Sequence, residues 1–400
     1  MQRRLRHAGL ASPGIHALEA AMRDRAILEA RSVTVQVTSS DGAEKTTWDI
    51  APASIPGLIV LRTNWHSARF EISEEMLERN MREHPAAIQE SHTPHITTLH
   101  KDKLVLRGDD SSLARAGFAY DIPALSSSIA KAFRDGVPSI SVTAPFTTSS
   151  IVMDIYGTPQ ALTLLASGRS NFTSSPSNRQ ANVNKALFEH VHNTVVEPGA
   201  TFSFNATLNA PITLEKGWKE ALGLFGGGAA MTPGGGICQA ATTVYRAALL
   251  AGFPFIEKRN HSLFVSYYEK YGVGIDATIF PGVHDLVFKN DTAGYLVVQA
   301  TTEGEDAIVS IYGIDDRRDV VMHGPYFAGS AKRHASMRSL DFNEIGWVQE
   351  VVMPDGTVRN HPIISHYAKP VPRSLARTYT GNVGVLDLHG AAPEVAPDVN

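Results

Sequence analysis

The second half of the chain carries a run of short, strongly apolar segments that limits the folds open to it. They follow one another after residue 252 as FPFIEK, LFVSYY, IDATIF, DLVFKN, YLVVQA and AIVSIY. Each has the length of one β-strand, and the turns between them are too short for the crossover helices that parallel strands need. The segments predict a mainly antiparallel sheet. Because helical patterns flank it, the predicted fold class is α+β, with two α+β units and a C-terminal extension that contains a β-hairpin.

Chain length, together with the positions of proline, glycine and polar stretches, predicts how the chain is divided into domains. At about 150 residues per domain, 400 residues favour two or three domains. The predicted parts are a helical leader (1–31), a first α+β domain (32–147), a second α+β domain (148–315), a β-rich extension (316–368) and a disordered tail (369–400). Within the second domain, Pro159 predicts the start of a short helix that ends by Gly168, and residues 169–180 read as a polar loop.

Composition excludes several classes of function. The net charge is −4, so no positive excess points to a nucleic-acid partner. No apolar stretch approaches the roughly 18 residues that span a membrane, and the N-terminus lacks the apolar region of a signal peptide. A single cysteine excludes internal disulfides and multi-cysteine metal sites. The histidine pairs His92/His95 and His190/His192 lack a third ligand at familiar spacing, so we predict no metal and no cofactor.

That single cysteine, Cys238, opens a predicted helix one residue after three glycines, in PGGGICQAATTVYRAALLAG. The unpaired N–H groups and partial positive charge of a helix N-terminus stabilise a thiolate and can form an oxyanion hole. His261 is the leading candidate for the base, and Asp276 for the group that orients its ring, as in Cys–His–Asp acyl transfer. Gln239 is a candidate hydrogen-bond donor to the substrate.

The same cysteine also fits a structural role. Cys238 precedes Ala241 by three residues and Tyr245 by seven, so it continues the apolar stripe of the predicted helix. Free cysteine is among the most buried residue types, and glycines before it can simply permit a tight turn. On pattern alone, burial is favoured over catalysis.

A second polar group heads the helix predicted over residues 182–196. Arg179 and Asn182 lie there, directly after the polar loop. One interpretation is an ordinary helix start. The other is a polar wall that positions a peptide or a glycan, and both stay open at this point.

Segments in one order over about 120 residues resemble the VanW family: NRQANV, VVEPGATFSFN, GGGICQAATTVYRAALLAG, IEKRNHS, IDATIF and VHDLVFKNDT. The pattern departs from the family at Val183, where isoleucine is typical, and at Lys258, where arginine is typical. Cys238, Gln239, His261 and Asp276 are retained. Ser262 and Asp285 are retained as well, and they join the candidate binding residues on the strength of this resemblance.

The resemblance implies a context, the bacterial cell wall, because VanW proteins were first associated with vancomycin-resistance gene clusters. Residues 32–147 are similar to the peptidoglycan-binding-like domain that often precedes a VanW domain, through the Trp48-x-Ile50 strand, ISEEML and DIPALSSSIAKAFRDGVPSISV. An envelope location is implied by this resemblance, although the residues show no export signal. The resemblance names no reaction.

Three functions therefore remain open. The favoured one is a cell-envelope protein that binds peptidoglycan or its precursors without catalysis. The second is a Cys–His dependent hydrolase or acyltransferase that acts on a peptide or amide of the cell wall. The third is a cytoplasmic accessory protein with a protein partner. The geometry around Cys238 separates the first two, because catalysis requires the sulfur to lie beside His261 in an open cleft.

Overall fold

The computed structural model describes residues 14–63, 67–100, 103–106, 113–155, 158–209, 211–225, 228–372 and 374–375. The chain divides into two compact units, the first made of residues 1–93 with 114–150 and the second of residues 94–113 with 151–400. The fold is mixed α+β with mostly antiparallel sheets and C-terminal strands, which confirms the predicted class. Most of the tail predicted to be disordered, residues 376–400, lies outside the described residues.

The helices, in chain order, are α1 (Ile15–Glu29), α2 (Glu74–Glu83), α3 (Ile122–Asp135), α4 (Ser177–Lys185), α5 (Phe204–Leu208) and α6 (Ile237–Leu250). The strands, in chain order, are β1 (Val33–Ser39), β2 (Lys45–Ile50), β3 (Ile59–Thr63), β4 (Ala68–Ile72), β5 (His95–His100), β6 (Lys103–Leu106), β7 (Gly117–Phe118), β8 (Ser139–Ala144), β9 (Phe146–Thr147), β10 (Ser150–Ile155), β11 (Thr158–Asn171), β12 (Thr194–Val196), β13 (Thr201–Ser203), β14 (Glu220–Phe225), β15 (Gly228–Pro233), β16 (Phe255–Glu257), β17 (Val287–Lys289), β18 (Leu296–Glu303), β19 (Asp306–Gly313), β20 (Asp319–Tyr326), β21 (Glu344–Val352) and β22 (Val358–His366).

The first unit places α2 and α3 with a three-stranded sheet. Strand β1 pairs antiparallel with β2 and parallel with β8. Its alternate residues Val33, Val35 and Val37 are buried in one core with apolar residues of α3. Ser73 and Asp121 cap these helices, because their side chains accept hydrogen bonds from first-turn N–H groups.

The second unit is organised by a seven-stranded sheet that closes on itself in the order β10-β11-β19-β18-β12-β6-β5. Helix α6 packs on β11 at Gly168, where a Cβ would lie 2.3 Å from the Thr243 carbonyl oxygen. The β5–β6 hairpin belongs to this unit, although the sequence analysis placed it in the first domain. The reason is its pairing, since β5 joins β10 and β6 joins β12.

Three local predictions are corrected by the structure. Residues 158–171 form β11 and not a helix beginning at Pro159, because pairing with β19 buries the alternate residues Ala166, Gly168 and Ser170. The helix predicted over 182–196 is α4 followed by a π-helical turn over Ala186–Val191. The predicted strand LFVSYY contains a 3₁₀ helix at Ser266–Tyr271.

The C-terminal strands are part of the second unit's core. Strands β20, β21 and β22 form one antiparallel sheet. Met322, Trp347 and Tyr367 are buried in the same apolar cluster as α6. The Trp347 indole donates a hydrogen bond of 2.8 Å to the Val273 carbonyl. The segment predicted as an extension therefore packs against the elements that carry Cys238 and Asp276.

In the part of the chain that the structure describes, we find no helix with the length and apolar character needed to cross a membrane.

Candidate active site

The glycine run before α6 builds a turn that fits tightly against β14. Gly236 caps the helix with φ at +105°, a conformation that strongly favours glycine. A Cβ at Gly235 would lie 2.2 Å from the Ala221 carbonyl oxygen. The turn thus presents Cys238 as the second residue of α6.

The backbone around this turn leaves an N–H group available beside the thiol. The N–H of Ile237 donates to the Gly234 carbonyl, and that of Gln239 donates to the Gly236 carbonyl. Within the described residues, the N–H of Cys238 itself takes no hydrogen-bond acceptor. First-turn N–H groups of this kind suit the negative oxygen of a tetrahedral intermediate.

Residue Cys238 is half-buried, and its thiol lies among polar atoms. Its Sγ is 3.5 Å from Thr278 Oγ1 and 3.6 Å from the Ile279 carbonyl oxygen. Burial opposes ionisation of the thiol, but a hydrogen bond with His261 and the charge of that ring outweigh it. The pKa of Cys238 therefore lies below its ordinary value.

His261 is buried and held by Asp276 at two points. The ring Nδ1 is 2.6 Å from Asp276 Oδ2, and the backbone N–H of His261 donates to the same oxygen at 2.7 Å. Nε2 is then the ring nitrogen left for Cys238. Burial alone would lower the pKa of His261, but its hydrogen bonds with Asp276 and Cys238 raise that pKa to about 10. Both shifts act in the direction that favours a thiolate beside an imidazolium over the neutral pair.

Asp276 is fixed by a residue that the sequence analysis missed. The Tyr367 hydroxyl donates a hydrogen bond of 2.8 Å to Asp276 Oδ1. Burial would raise the pKa of Asp276, but the hydrogen bonds and charge of His261 hold it below its usual range. Tyr367 follows β22 directly, and the one sequence signal for it was the predicted hairpin that leads there.

The helix that presents Cys238 also positions Asp276. Thr242 and Arg246 lie four and eight residues after Cys238, on the same helix face. Thr242 Oγ1 donates to the Ala277 carbonyl and accepts from the Ala277 N–H, both at 3.1 Å. Arg246 Nε donates to the Ile275 carbonyl at 2.9 Å. One helix face therefore sets the relation of the thiol to the carboxylate.

A cavity of about 990 Å³ opens over this group. Cys238, His261 and Thr278 lie in its wall, and exposed Ser262 lies there too. The glycine turn forms another side of the cavity, and apolar residues such as Ile212 and Phe280 complete much of the rest. A ligand of this size would meet the sulfur, the imidazole and the helix N-terminus together.

A family model matches the part of the chain that carries this site. Residues 178–312 match the family model described as VanW like protein. These residues form a VanW-like domain. The match contains Cys238, His261 and Asp276, whereas Tyr367 lies beyond it and residues 32–147 lie before it.

A curated protein is similar to part of the chain. The uncharacterized protein YoaR of Bacillus subtilis (strain 168) is 32% identical over 144 residues, which are 36% of this chain. The matched part covers 46% of YoaR, so the chain spans less than half the length of this relative. No solved structure matches the chain.

Gln239 and Arg179 are used inside the VanW-like domain and do not line the cavity. Gln239 Oε1 accepts a hydrogen bond of 2.6 Å from Arg179, and its Nε2 donates to Ser170 Oγ at 3.1 Å. Arg179 is buried and also donates to Ser175 at 2.8 Å. The amide that we expected to reach a substrate therefore links α6 to α4 and β11.

Asn182 and Asp285 also hydrogen-bond within the domain and do not line the cavity. Asn182 Nδ2 donates to the Gly235 carbonyl at 2.9 Å, which holds the glycine turn in place. Asp285 accepts hydrogen bonds from the Ser203 hydroxyl at 2.5 Å and from the Asn205 N–H at 2.9 Å. Arg179 and Asn182 both lie within α4, and their hydrogen bonds run to other elements of the domain.

A separate cluster has the residue types of a metal site. Ligand atoms of His323, His334 and Glu350 lie within 4.8 Å of one another. However, the Ser336 N–H donates to His334 Nδ1 at 3.2 Å, so a neutral His334 ring carries its proton on Nε2. That nitrogen lies 3.6 Å from Glu350 Oε2. As arranged, His334 offers Glu350 a proton and not a lone pair for a metal.

Proposed function

We propose that the VanW-like domain is a cysteine-dependent catalyst of acyl transfer, a hydrolase or acyltransferase that acts on a peptide or amide bond. One observation carries the proposal: the Cys238 thiol, the buried His261–Asp276 pair and a free helix N–H lie together at one cavity. These are the nucleophile, the acid–base with its orienting group, and the oxyanion donor that such a reaction needs.

The reaction follows from the protonation states. The Cys238 thiolate attacks the carbonyl carbon and forms an S–C bond, while the developing oxyanion accepts the N–H of Cys238. The C–N bond of the substrate then breaks, and His261 gives its Nε2 proton to the leaving amine. Water or a second amine attacks the thioester and loses a proton to His261. The S–C bond breaks, and the thiolate–imidazolium pair is restored.

A structural cysteine accounts less well for the same residues. A buried carboxylate and histidine are costly to desolvate, and a small core thiol needs neither of them. Cys238 also lines a cavity, whereas a purely structural thiol needs no position in a cavity wall. The arrangement is therefore better explained by nucleophilic catalysis than by packing.

The substrate class that we propose is a peptide of the bacterial cell wall, in peptidoglycan or its precursors. Support comes from the VanW resemblance, which implies this context. Under the proposal, residues 32–147 contribute association with the wall, as their similarity to a peptidoglycan-binding-like domain implies. Binding without catalysis is the alternative outcome of the experiment below.

The full chain would be incubated with purified peptidoglycan and with soluble stem peptides. Intact-protein mass spectrometry would detect an acyl adduct, and amine analysis would detect newly released amino groups. We expect an adduct that hydroxylamine removes, as for a thioester, and its loss in Cys238→Ala. Sedimentation of the protein with peptidoglycan, without adduct or released amine from any substrate, would favour the binding function and reject the catalytic one.

A further inference from the structure

The geometry points to a carboxylate-binding subsite at Arg259, beside the nucleophile. We infer that the substrate of the proposed reaction carries a carboxylate close to the bond that is cleaved. The inference rests on the proposed function, and it adds a substrate class that neither the family match nor the relative supplies.

Backbone pairing places Arg259 opposite Thr278, a residue that contacts the thiol. The Arg259 carbonyl accepts a hydrogen bond of 2.8 Å from the Thr278 N–H, in an isolated antiparallel bridge. Thr278 Oγ1 in turn lies 3.5 Å from Cys238 Sγ. The Arg259 side chain is exposed and lines the same cavity. Its position is therefore set by the segment that touches the nucleophile.

The described wall of the cavity carries a fixed cation and no carboxylate. Besides Cys238, the titratable residues that line it are Arg259, His261, His284 and His366. No aspartate or glutamate appears among the described lining residues. A cavity with a fixed cation and no acidic group in its wall favours an anionic ligand.

Arg259 also keeps its hydrogen-bond donors for a ligand. Among the described residues, no carboxylate lies within ion-pair distance of its guanidinium, whereas Arg318 and Arg338 pair with acidic partners. Its one side-chain contact is His284 Nε2, 3.3 Å from Nη1. The sequence neighbour Glu257 is used elsewhere, since it accepts the N–H of Asp285. A guanidinium with free N–H groups matches a carboxylate in a two-pronged geometry.

The alternative is that Arg259 is an ordinary surface arginine surrounded by solvent, as most exposed arginines are. Arg333 is such a residue, since it is exposed and does not line the cavity. It therefore serves as the matched control. The two arginines differ in the feature that the inference uses, their position relative to Cys238.

Two alkylating reagents test the subsite without knowledge of the natural substrate. Iodoacetate and iodoacetamide react in the same way: the Sγ–C bond forms, the C–I bond breaks and iodide leaves. Iodoacetate carries a carboxylate, whereas iodoacetamide carries a neutral amide. The full chain would be alkylated at pH 7 and low ionic strength, with glutathione as the reference thiol. We expect a ratio of iodoacetate to iodoacetamide rate constants about tenfold above that of glutathione, the effect of one charged hydrogen-bond pair.

The variants make the result specific. Arg259→Gln should lower the ratio about tenfold, Arg259→Lys should retain part of it, and Arg333→Gln should leave it unchanged. Rapid alkylation by iodoacetamide with a ratio that Arg259→Gln does not alter would overturn the subsite alone. Slow alkylation by both reagents would overturn the proposed function and the subsite together. Thermal melts of each variant would confirm that it folds.

Discussion

The Tyr367 hydroxyl donates a hydrogen bond of 2.8 Å to Asp276 Oδ1, and so ties the end of the last strand to the carboxylate that holds His261. The two residues are 91 positions apart in the chain. Asp276 lies within the VanW-like match and Tyr367 lies outside it. The candidate site is thus completed by a segment that the family match does not include.

Tyr367→Phe tests this link. The change removes one hydrogen bond to a buried carboxylate, which is worth about 1.5–3 kcal/mol, without leaving a cavity. We expect the free energy of unfolding to fall by about that amount and the alkylation of Cys238 to slow. The measurements are urea unfolding and iodoacetamide kinetics. Tyr267→Phe is the control, because its exposed ring takes part in a cation–π contact that does not need the hydroxyl. Equal effects in both variants would show that the link to Asp276 has no special role.

Asp276→Asn tests the electrostatic account of the thiol. Without the carboxylate, the pKa of His261 should fall from about 10 toward its ordinary value, and the pKa of Cys238 should rise. We expect the iodoacetamide rate at pH 7 to fall, by up to about tenfold for each pKa unit that the thiol gains, because a smaller fraction of it is ionised. Asp285→Asn is the control, since Asp285 hydrogen-bonds in the same domain but away from the cavity. A rate unchanged by Asp276→Asn would contradict the ion-pair account.

Thr242→Val tests whether helix α6 positions the carboxylate. The variant is similar in shape, but it leaves the buried N–H and carbonyl of Ala277 without the Thr242 hydroxyl. Leaving buried backbone groups unpaired costs about 1–3 kcal/mol. We expect that loss in urea unfolding, together with slower alkylation. A loss of stability with full thiol reactivity would show that Thr242 supports the fold and not the site.

Glu344 gives a prediction for stability in acid. The Arg338 guanidinium holds the pKa of this carboxyl at about 2, against the partial opposition of burial. Because the folded pKa is depressed, its stabilisation is present above the ordinary pKa of 4.5 and is lost as pH falls toward 2. Between pH 4.5 and 2, the free energy of unfolding should therefore decrease less in Glu344→Gln than in the unaltered chain. The difference should be about 1–2 kcal/mol, because solvent screens the exposed Arg338. Glu305→Gln, a change at an exposed glutamate, is the control. The prediction would be contradicted if the free energy of unfolding decreased equally steeply with falling pH in both variants.

The local features of the site could be predicted from the sequence. A glycine run followed by an apolar stripe with a 3.6-residue period predicts a turn and a helix, and α6 begins and ends close to where that pattern does. Ser73 and Asp121 cap helices for the same local reason. Features set by neighbouring residues along the chain are the ones that pattern reading captures.

The features that depend on distant contacts could not be predicted. The apolar segment after Pro159 suits a helix as well as a strand, and its pairing with β19 decides for the strand. Gln239 is next to Cys238 in sequence, but the helix directs it to Arg179 and Ser170, away from the cavity. Tyr367 carries no spacing signal relative to Asp276, because only the packing of β22 brings them together.

The most direct test of the central claim is the pH dependence of Cys238 alkylation in the folded chain. Iodoacetamide rates would be measured from pH 4 to 10, with the unfolded chain in urea as the reference for an ordinary thiol. If the ion pair is present, the thiol of the folded chain should react at pH values well below the usual thiol pKa of about 8.5. The Cys238→Ser variant should not be labelled. Native labelling that is negligible at pH 7 and appears only on unfolding would contradict the account.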